Sequence, residues 1–210
     1  MKRLLIFDLD GTLVNSLPDI AWAMNQALKD WELPERSLQE IQEFIGSGTL
    51  QLVERACGGN IPPGLVEAYR RYYDDNLIVR TKVYPGLNKL LLDLKQDHLV
   101  VLTNKYQSAA DRIIDQLFPD IFESVLGDGR FPRKPDPTAI EYLMDYYQVT
   151  PRETILIGDS RVDQAAAQAA GIHFIGVDWG YDILTEAISI EELKQQLRLE
   201  KRDSELMEVP

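Results

Sequence analysis

The sequence predicts an α/β fold: a doubly wound, Rossmann-like parallel sheet with a small helical domain inserted after the first strand. Three observations lead there. Short continuous apolar runs at residues 3–7, 99–102 and 154–157 each give way to polar or acidic residues, the pattern of parallel strands covered on both faces. Segments of helical periodicity lie between those runs. Between residues 15 and 80, by contrast, almost nothing reads as a strand.

The first strand, residues 3–7, delivers Asp8 and Asp10 one residue apart, and Gly11 then lets the chain turn. Ligands of open parallel sheets sit at such carboxyl ends. Two close carboxylates can divide chemical work, one attacking as nucleophile and the other carrying the leaving group's proton. A divalent cation would keep their charges from raising each other's pKa. The competing reading is a plain turn, for which Asp-Gly is a common pair.

The insert follows at once. Ser16, Pro18 and Asp19 read as a helix start with a capping box, and Ile20, Ala23, Met24, Ala27 and Leu28 continue it at helical spacing. Further helices are expected over 37–44, 50–57 and 63–77, separated by glycine and proline. A helical insert in this position is placed to act as a lid. Gly46-Ser47-Gly48 is accounted for locally as a helix–helix turn.

Tyr84-Pro85-Gly86 closes the insert, and Leu87, Leu90, Leu91 and Leu94 form a helical face. The strand at 99–102 ends in Thr103-Asn104-Lys105, and a helix is expected over 108–117. A short hydroxyl at a strand end is suited to a phosphoryl oxygen, and Asn104 could orient substrate or nucleophile. Lys134 lies between Pro132 and Pro135, in a segment that can be neither helix nor central strand. That makes it a fixed cation, and Asp136-Pro137 starts the next helix, 139–147. The run 154–157 ends in Gly158-Asp159, with Asp163 four residues on. Asp163 reads either as a support behind the site or as a helix N-terminal acid. A helix over 164–170, a strand over 172–177 and a last helix over 189–198, capped by Ser189 and Glu192, complete the pattern. Residues 199–210 read as a polar tail.

Composition sets the outer limits. The chain has 210 residues, 45% of them hydrophobic, enough for a packed core and a smaller second unit. A net charge of -12 argues against nucleic acid or an anionic membrane as partner. An anionic substrate then needs local positive charge. Cys57 is the only cysteine, which excludes an intramolecular disulfide and points to a reducing compartment. No apolar run approaches a membrane span and no signal-like segment is present, so a cytoplasmic location is expected. Nothing in the sequence reports oligomeric state.

The stretch Asp8-Leu9-Asp10-Gly11-Thr12-Leu13-Val14 resembles the first motif of the haloacid dehalogenase-like hydrolase superfamily. Thr103, Lys134 and Asp159 match its second, third and fourth motifs in order, and the insert resembles the cap of its helical-cap subclass. Asn15-Ser16-Leu17-Pro18-Asp19 and Gly46-Ser47-Gly48 resemble stretches of phosphoglycolate phosphatases, although Asn15 stands where an Asp is usual. The resemblance implies a core of 1–14 plus 81–198 and a cap of 15–80. It implies Asp8 as nucleophile, Asp10 as acid/base, Lys134 as catalytic cation and Thr103 as phosphate ligand. It makes Asn104, Gly46, Ser47 and Gly48 substrate contacts, and Asp8, Asp159 and the backbone carbonyl of Asp10 the Mg²⁺ ligands, with Asp163 behind them. The implied reaction is Mg²⁺-dependent hydrolysis of a small phosphate monoester through an aspartyl phosphate. The alternatives are a sugar phosphomutase, pyrophosphatase or nucleotidase of the same fold, or a phosphate-receiver module. Mutases usually carry a His ten positions after the second Asp, and here that residue is Ile20.

Overall fold

The computed structural model describes residues 2–207, the side chains of 199–207 excepted. Its centre is strand β1 (Leu4–Phe7), every residue of which is buried. β1 lies between β4 (His98–Tyr106) and β6 (Thr154–Gly158), with β5 (Ser124–Asp128) and β7 (His173–Gly176) outside them, in the order β5-β4-β1-β6-β7. All the pairings are parallel. The chain leaves β1 for one side of the sheet and later returns to the other, so β1 is the switch point where such sheets open a crevice.

Alternation along the strands explains the continuous apolar runs. Leu5, Phe7, Leu99, Val101, Ile155 and Ile157 pack on one face, against α6 (Gln107–Leu117) and α9 (Ile190–Met207) among others. Leu4, Ile6, Val100, Leu102 and Leu156 pack on the other, against α7 (Thr138–Tyr147) and α8 (Arg161–Ala170). Strand β5 carries no clear signal in the sequence. It is a short edge strand, half-buried at Ser124, Val125 and Asp128, and so lacks a continuous apolar run.

The insert folds as α1 (Leu17–Asp30), α2 (Leu38–Phe44), α3 (Thr49–Cys57) and α4 (Leu65–Asp75), packed on one another. Its neck is an antiparallel ribbon that sequence periodicity does not reveal: β2 (Val14–Asn15) pairs with β3 (Lys82–Val83), and α5 (Leu87–Asp93) follows. Two-residue strands are too short to show a period.

The capping box expected at Ser16 and Asp19 does not form. Ser16 makes no side-chain cap bond; its hydroxyl donates to Asp10 instead. The Tyr181 hydroxyl accepts from the N–H groups of Ser16 and Leu17, at 2.8 and 2.9 Å, and so replaces the cap. Helix α9 runs on to Met207, through most of the expected tail, because Leu, Glu, Lys and Arg there are good helix formers. Residues 208–210 lie outside the described residues.

Candidate active site

Asp8 follows β1 directly, and its N–H donates to Ile157 at 2.9 Å. Its side chain stands at the mouth of the switch-point crevice and is mostly buried, at 8% exposure. The Lys134 ammonium is built into the same point. It donates to Asp8 Oδ1 at 2.7 Å, to Asp163 Oδ1 at 2.6 Å and to the Leu102 carbonyl at 2.7 Å, which uses all three of its hydrogens. The loop holding Lys134 is itself clasped by Asn104. The Asn104 amide accepts from the Lys134 N–H at 2.9 Å and donates to the Lys134 carbonyl at 2.9 Å.

Asp159 leaves the end of β6 beside Asp8. Thr12 Oγ1 donates to Asp159 Oδ1 at 2.9 Å and the Tyr181 N–H donates to Oδ2 at 2.7 Å. Gly11 is needed here: its φ is +92°, and a Cβ on it would stand 2.2 Å from Asp159 Oδ2. Asp163, one turn along, donates from its N–H to Ser160 Oγ at 3.2 Å and accepts from the Ser160 N–H at 3.2 Å. It is both the helix-capping acid and the second anchor of Lys134.

Carboxylate oxygens of Asp8, Asp159 and Asp163 lie within 4.8 Å of one another. The electrostatics reflect this crowding. Burial pushes the Asp8 carboxyl well above the ordinary range; Lys134 opposes that, and Asp163 and Asp159 add to it. Burial, then the Asp163 charge, raises Asp159 from 3.8 to about 6, against the bonds from Tyr181 and Thr12. Burial works against the Lys134 ammonium, but Asp163 and Asp8 outweigh it and raise its pKa. A set of hard oxygen donors that repel one another fits a divalent cation such as Mg²⁺. Both oxygens of Asp163 accept from Lys134 and Ser160, and both oxygens of Asp159 accept from Thr12 and the Tyr181 N–H.

The Asp10 carboxylate turns away from that cluster. Lys105 Nζ lies 2.9 Å from each of its oxygens, and Ser16 donates to Oδ1. Any metal role of Asp10 therefore rests on its backbone carbonyl. Thr103 Oγ1 accepts from the Lys105 N–H at 3.1 Å, beside the cavity that Asp8, Asp10, Lys134 and Asp159 line. That cavity measures about 510 Å³ and lies under the insert, with Ile20, Gly46, Gly48, Thr49, Leu52 and Tyr69 on the insert side. Gly46 and Gly48 thus line it, whereas Ser47 does not. The loop is also the α2–α3 turn. Asn104 ties it down, donating to the Gly46 carbonyl at 2.9 Å. Both ends of that amide are spent within the protein, so Asn104 positions the Lys134 loop and the insert loop.

Sequence reasoning gave no role to Lys105, Tyr181 or Arg133. Lys105 had a detectable signal, since it extends a buried strand and is only 8% exposed. Tyr181 had none; it reaches Ser16 and Asp159 only through the fold. Arg133 joins core to insert, with 2.9 Å contacts to Asp128 and to Gln51 of α3.

Comparison with known proteins agrees with this geometry. The sequence pattern described as haloacid dehalogenase-like hydrolase matches residues 5–177. A phosphoglycolate phosphatase of Pseudomonas putida is 32% identical over 199 residues, covering 87% of this chain and 71% of that protein. One of Haemophilus influenzae is 34% identical over 195 residues, covering 86% and 87%. The crystal structure of a predicted phosphoglycolate phosphatase from Haemophilus somnus 129pt superposes with a TM-score of 0.84 at 32% identity, over 93% of this chain and 98% of that one. With the acids at the switch point, the lysine anchored on them and a match over most of its length, the chain belongs to the haloacid dehalogenase-like hydrolase family.

Proposed function

We propose that this enzyme is a Mg²⁺-dependent phosphatase that hydrolyses a small phosphate monoester, phosphoglycolate or a close analogue, through a phosphorylated Asp8. The observation that carries the reading is Lys134 Nζ, 2.7 Å from Asp8 Oδ1 at the carboxyl end of the central strand. A buried cation fixed on a carboxylate offsets the charge that gathers as a phosphoryl group approaches. Asp8 and Asp159, with the Asp10 carbonyl, would hold Mg²⁺, which when bound supplies further positive charge to the phosphoryl oxygens. Asp8 attacks phosphorus in line. Asp10, protonated, gives its proton to the leaving oxygen and then takes one from the water that cleaves the acyl phosphate. Thr103 donates to a phosphoryl oxygen. The insert acts as a cap that excludes bulk water from the intermediate. Ile20 supports hydrolysis over transfer to a second sugar, being an apolar wall of the cavity only 2% exposed. The names of the relatives support the two-carbon substrate.

The test is phosphate release by the purified protein with Mg²⁺, across phosphoglycolate, pyrophosphate, sugar phosphates and nucleotides, with Asp8→Asn and a chelator as controls. Turnover on phosphoglycolate that vanishes in both controls is expected. Turnover that survives Asp8→Asn would overturn the mechanism, and a better substrate among the others would overturn the specificity.

A further inference from the structure

The proposed phosphatase reading leaves open how the organic half of the substrate is read, and this inference rests on that reading. Beside Asp10, one hydrogen of a buried ammonium and a buried hydroxyl have no acceptor among the described residues. The Lys105 ammonium carries three hydrogens; the two oxygens of Asp10, each at 2.9 Å, account for two of them. The Tyr73 hydroxyl is buried and has no hydrogen-bond partner. Tyr73 is 0% exposed, and Lys105 Nζ lies over its ring, 4.7 Å from the centroid. Both residues line the reaction cavity. A buried donor without an acceptor is destabilising unless a ligand supplies one.

We infer that Lys105 and Tyr73 form the subsite for a carboxylate carried by the leaving group. The other cations lining the cavity do not suit that task. Lys134 is fully used by Asp8, Asp163 and Leu102, and Arg161 is exposed. Helices α1 to α4 contribute no Lys or Arg to the lining among the described residues. Distance then selects the substrate. The ester oxygen must touch Asp10, and Lys105 Nζ stands one hydrogen bond beyond Asp10. A carboxylate one carbon from the ester oxygen meets both. The preferred class is thus the phosphate ester of a short 2-hydroxy acid. A long sugar phosphate or nucleotide would place no acceptor on this pair.

The experiment compares kcat/KM of the Mg²⁺-loaded enzyme for phosphoglycolate and for 2-hydroxyethyl phosphate, which has the same length and no carboxylate. Hydrogen bonds to a charged group differ from neutral ones by enough to give the wild type a preference of about 100-fold for phosphoglycolate. Tyr73→Phe should lower that ratio by about tenfold, mostly through KM. Lys105→Gln should lower it further. Wild-type values that are equal for the two esters would overturn the subsite without recourse to any variant. So would a Tyr73→Phe protein that folds and loses both activities in the same proportion. Failure of the phosphatase reading looks different: the wild type would release phosphate from neither ester.

Discussion

Asp19 and Thr81 meet across the neck of the insert. The Asp19 carboxylate, 0% exposed, accepts from the Thr81 N–H at 2.7 Å, the Thr81 hydroxyl at 2.8 Å and the Arg80 N–H at 2.8 Å. The outgoing and returning chains are thereby joined at one side chain. Buried donors left without a partner cost about 1–3 kcal/mol each. Asp19→Ala should therefore lower the unfolding free energy by roughly 3 kcal/mol or more, read as a lower urea midpoint. A shift below about 1 kcal/mol would show that water replaces the carboxylate there.

Asp163 anchors Lys134 at 2.6 Å and is expected to act through it. Asp163→Asn should lower kcat by about 10- to 100-fold, the usual cost of losing a supporting partner. The Mg²⁺ concentration for half-maximal activity should change much less. If metal affinity falls in step with kcat, Asp163 is a direct ligand instead.

Asn104 joins the Gly46 carbonyl to both backbone groups of Lys134, each contact at 2.9 Å. Asn104→Ala frees the insert loop and the lysine loop together. Steady-state kinetics should show kcat/KM lower by about tenfold or more, with kcat and KM both affected. An unaltered KM would mean that the Gly46 loop takes no part in holding substrate.

The acid cluster makes stability depend on pH in a definite sense. Burial and Asp163 raise Asp159 from 3.8 to about 6, so the folded state binds this proton more tightly than the unfolded state. The metal-free protein then loses stability as pH rises from about 4 to 6, on the order of 3 kcal/mol from Asp159 alone. Asp8, also raised, acts in the same direction. A divalent cation held there would take the place of the proton, so the rise in Tm on adding Mg²⁺ should be small at pH 4.5 and larger at pH 7.5. Calorimetry with and without Mg²⁺ measures this directly, and a metal effect that shrinks with rising pH would contradict it.

Gly11 is the tightest point of the first loop. Gly11→Ala drives a Cβ to 2.2 Å from Asp159 Oδ2 on a backbone with φ +92°. Loss of at least about 2–3 kcal/mol is expected, together with loss of activity because Asp159 must move. Near-normal turnover in this variant would show that the loop can relax.

Much of the architecture was legible because it depends on local period and burial. The runs at 3–7, 99–102 and 154–157 are apolar throughout because β1, β4 and β6 are covered on both faces. Asp8, Thr103 and Asp159 follow such runs, and Lys134 sits in a proline-bounded loop, so each could be placed at the crevice before its neighbours were known. Strand β5 was not legible, since an edge strand needs no continuous apolar run, and the two-residue strands β2 and β3 were too short to show any pattern.

The sequence by itself determined the order of the candidate site residues along the chain and the sheet that presents them, because strand and helix periods follow from neighbouring residues. Only the tertiary structure decided how the polar side chains pair. Ser16, read locally as a helix cap, bonds Asp10, while Tyr181 bonds Ser16 from the far end of the chain. Lys105 faces Asp10, and Asp19 faces Thr81, for the same reason. A buried donor takes whichever acceptor the packing brings within about 3 Å, and no spacing in the sequence records that choice.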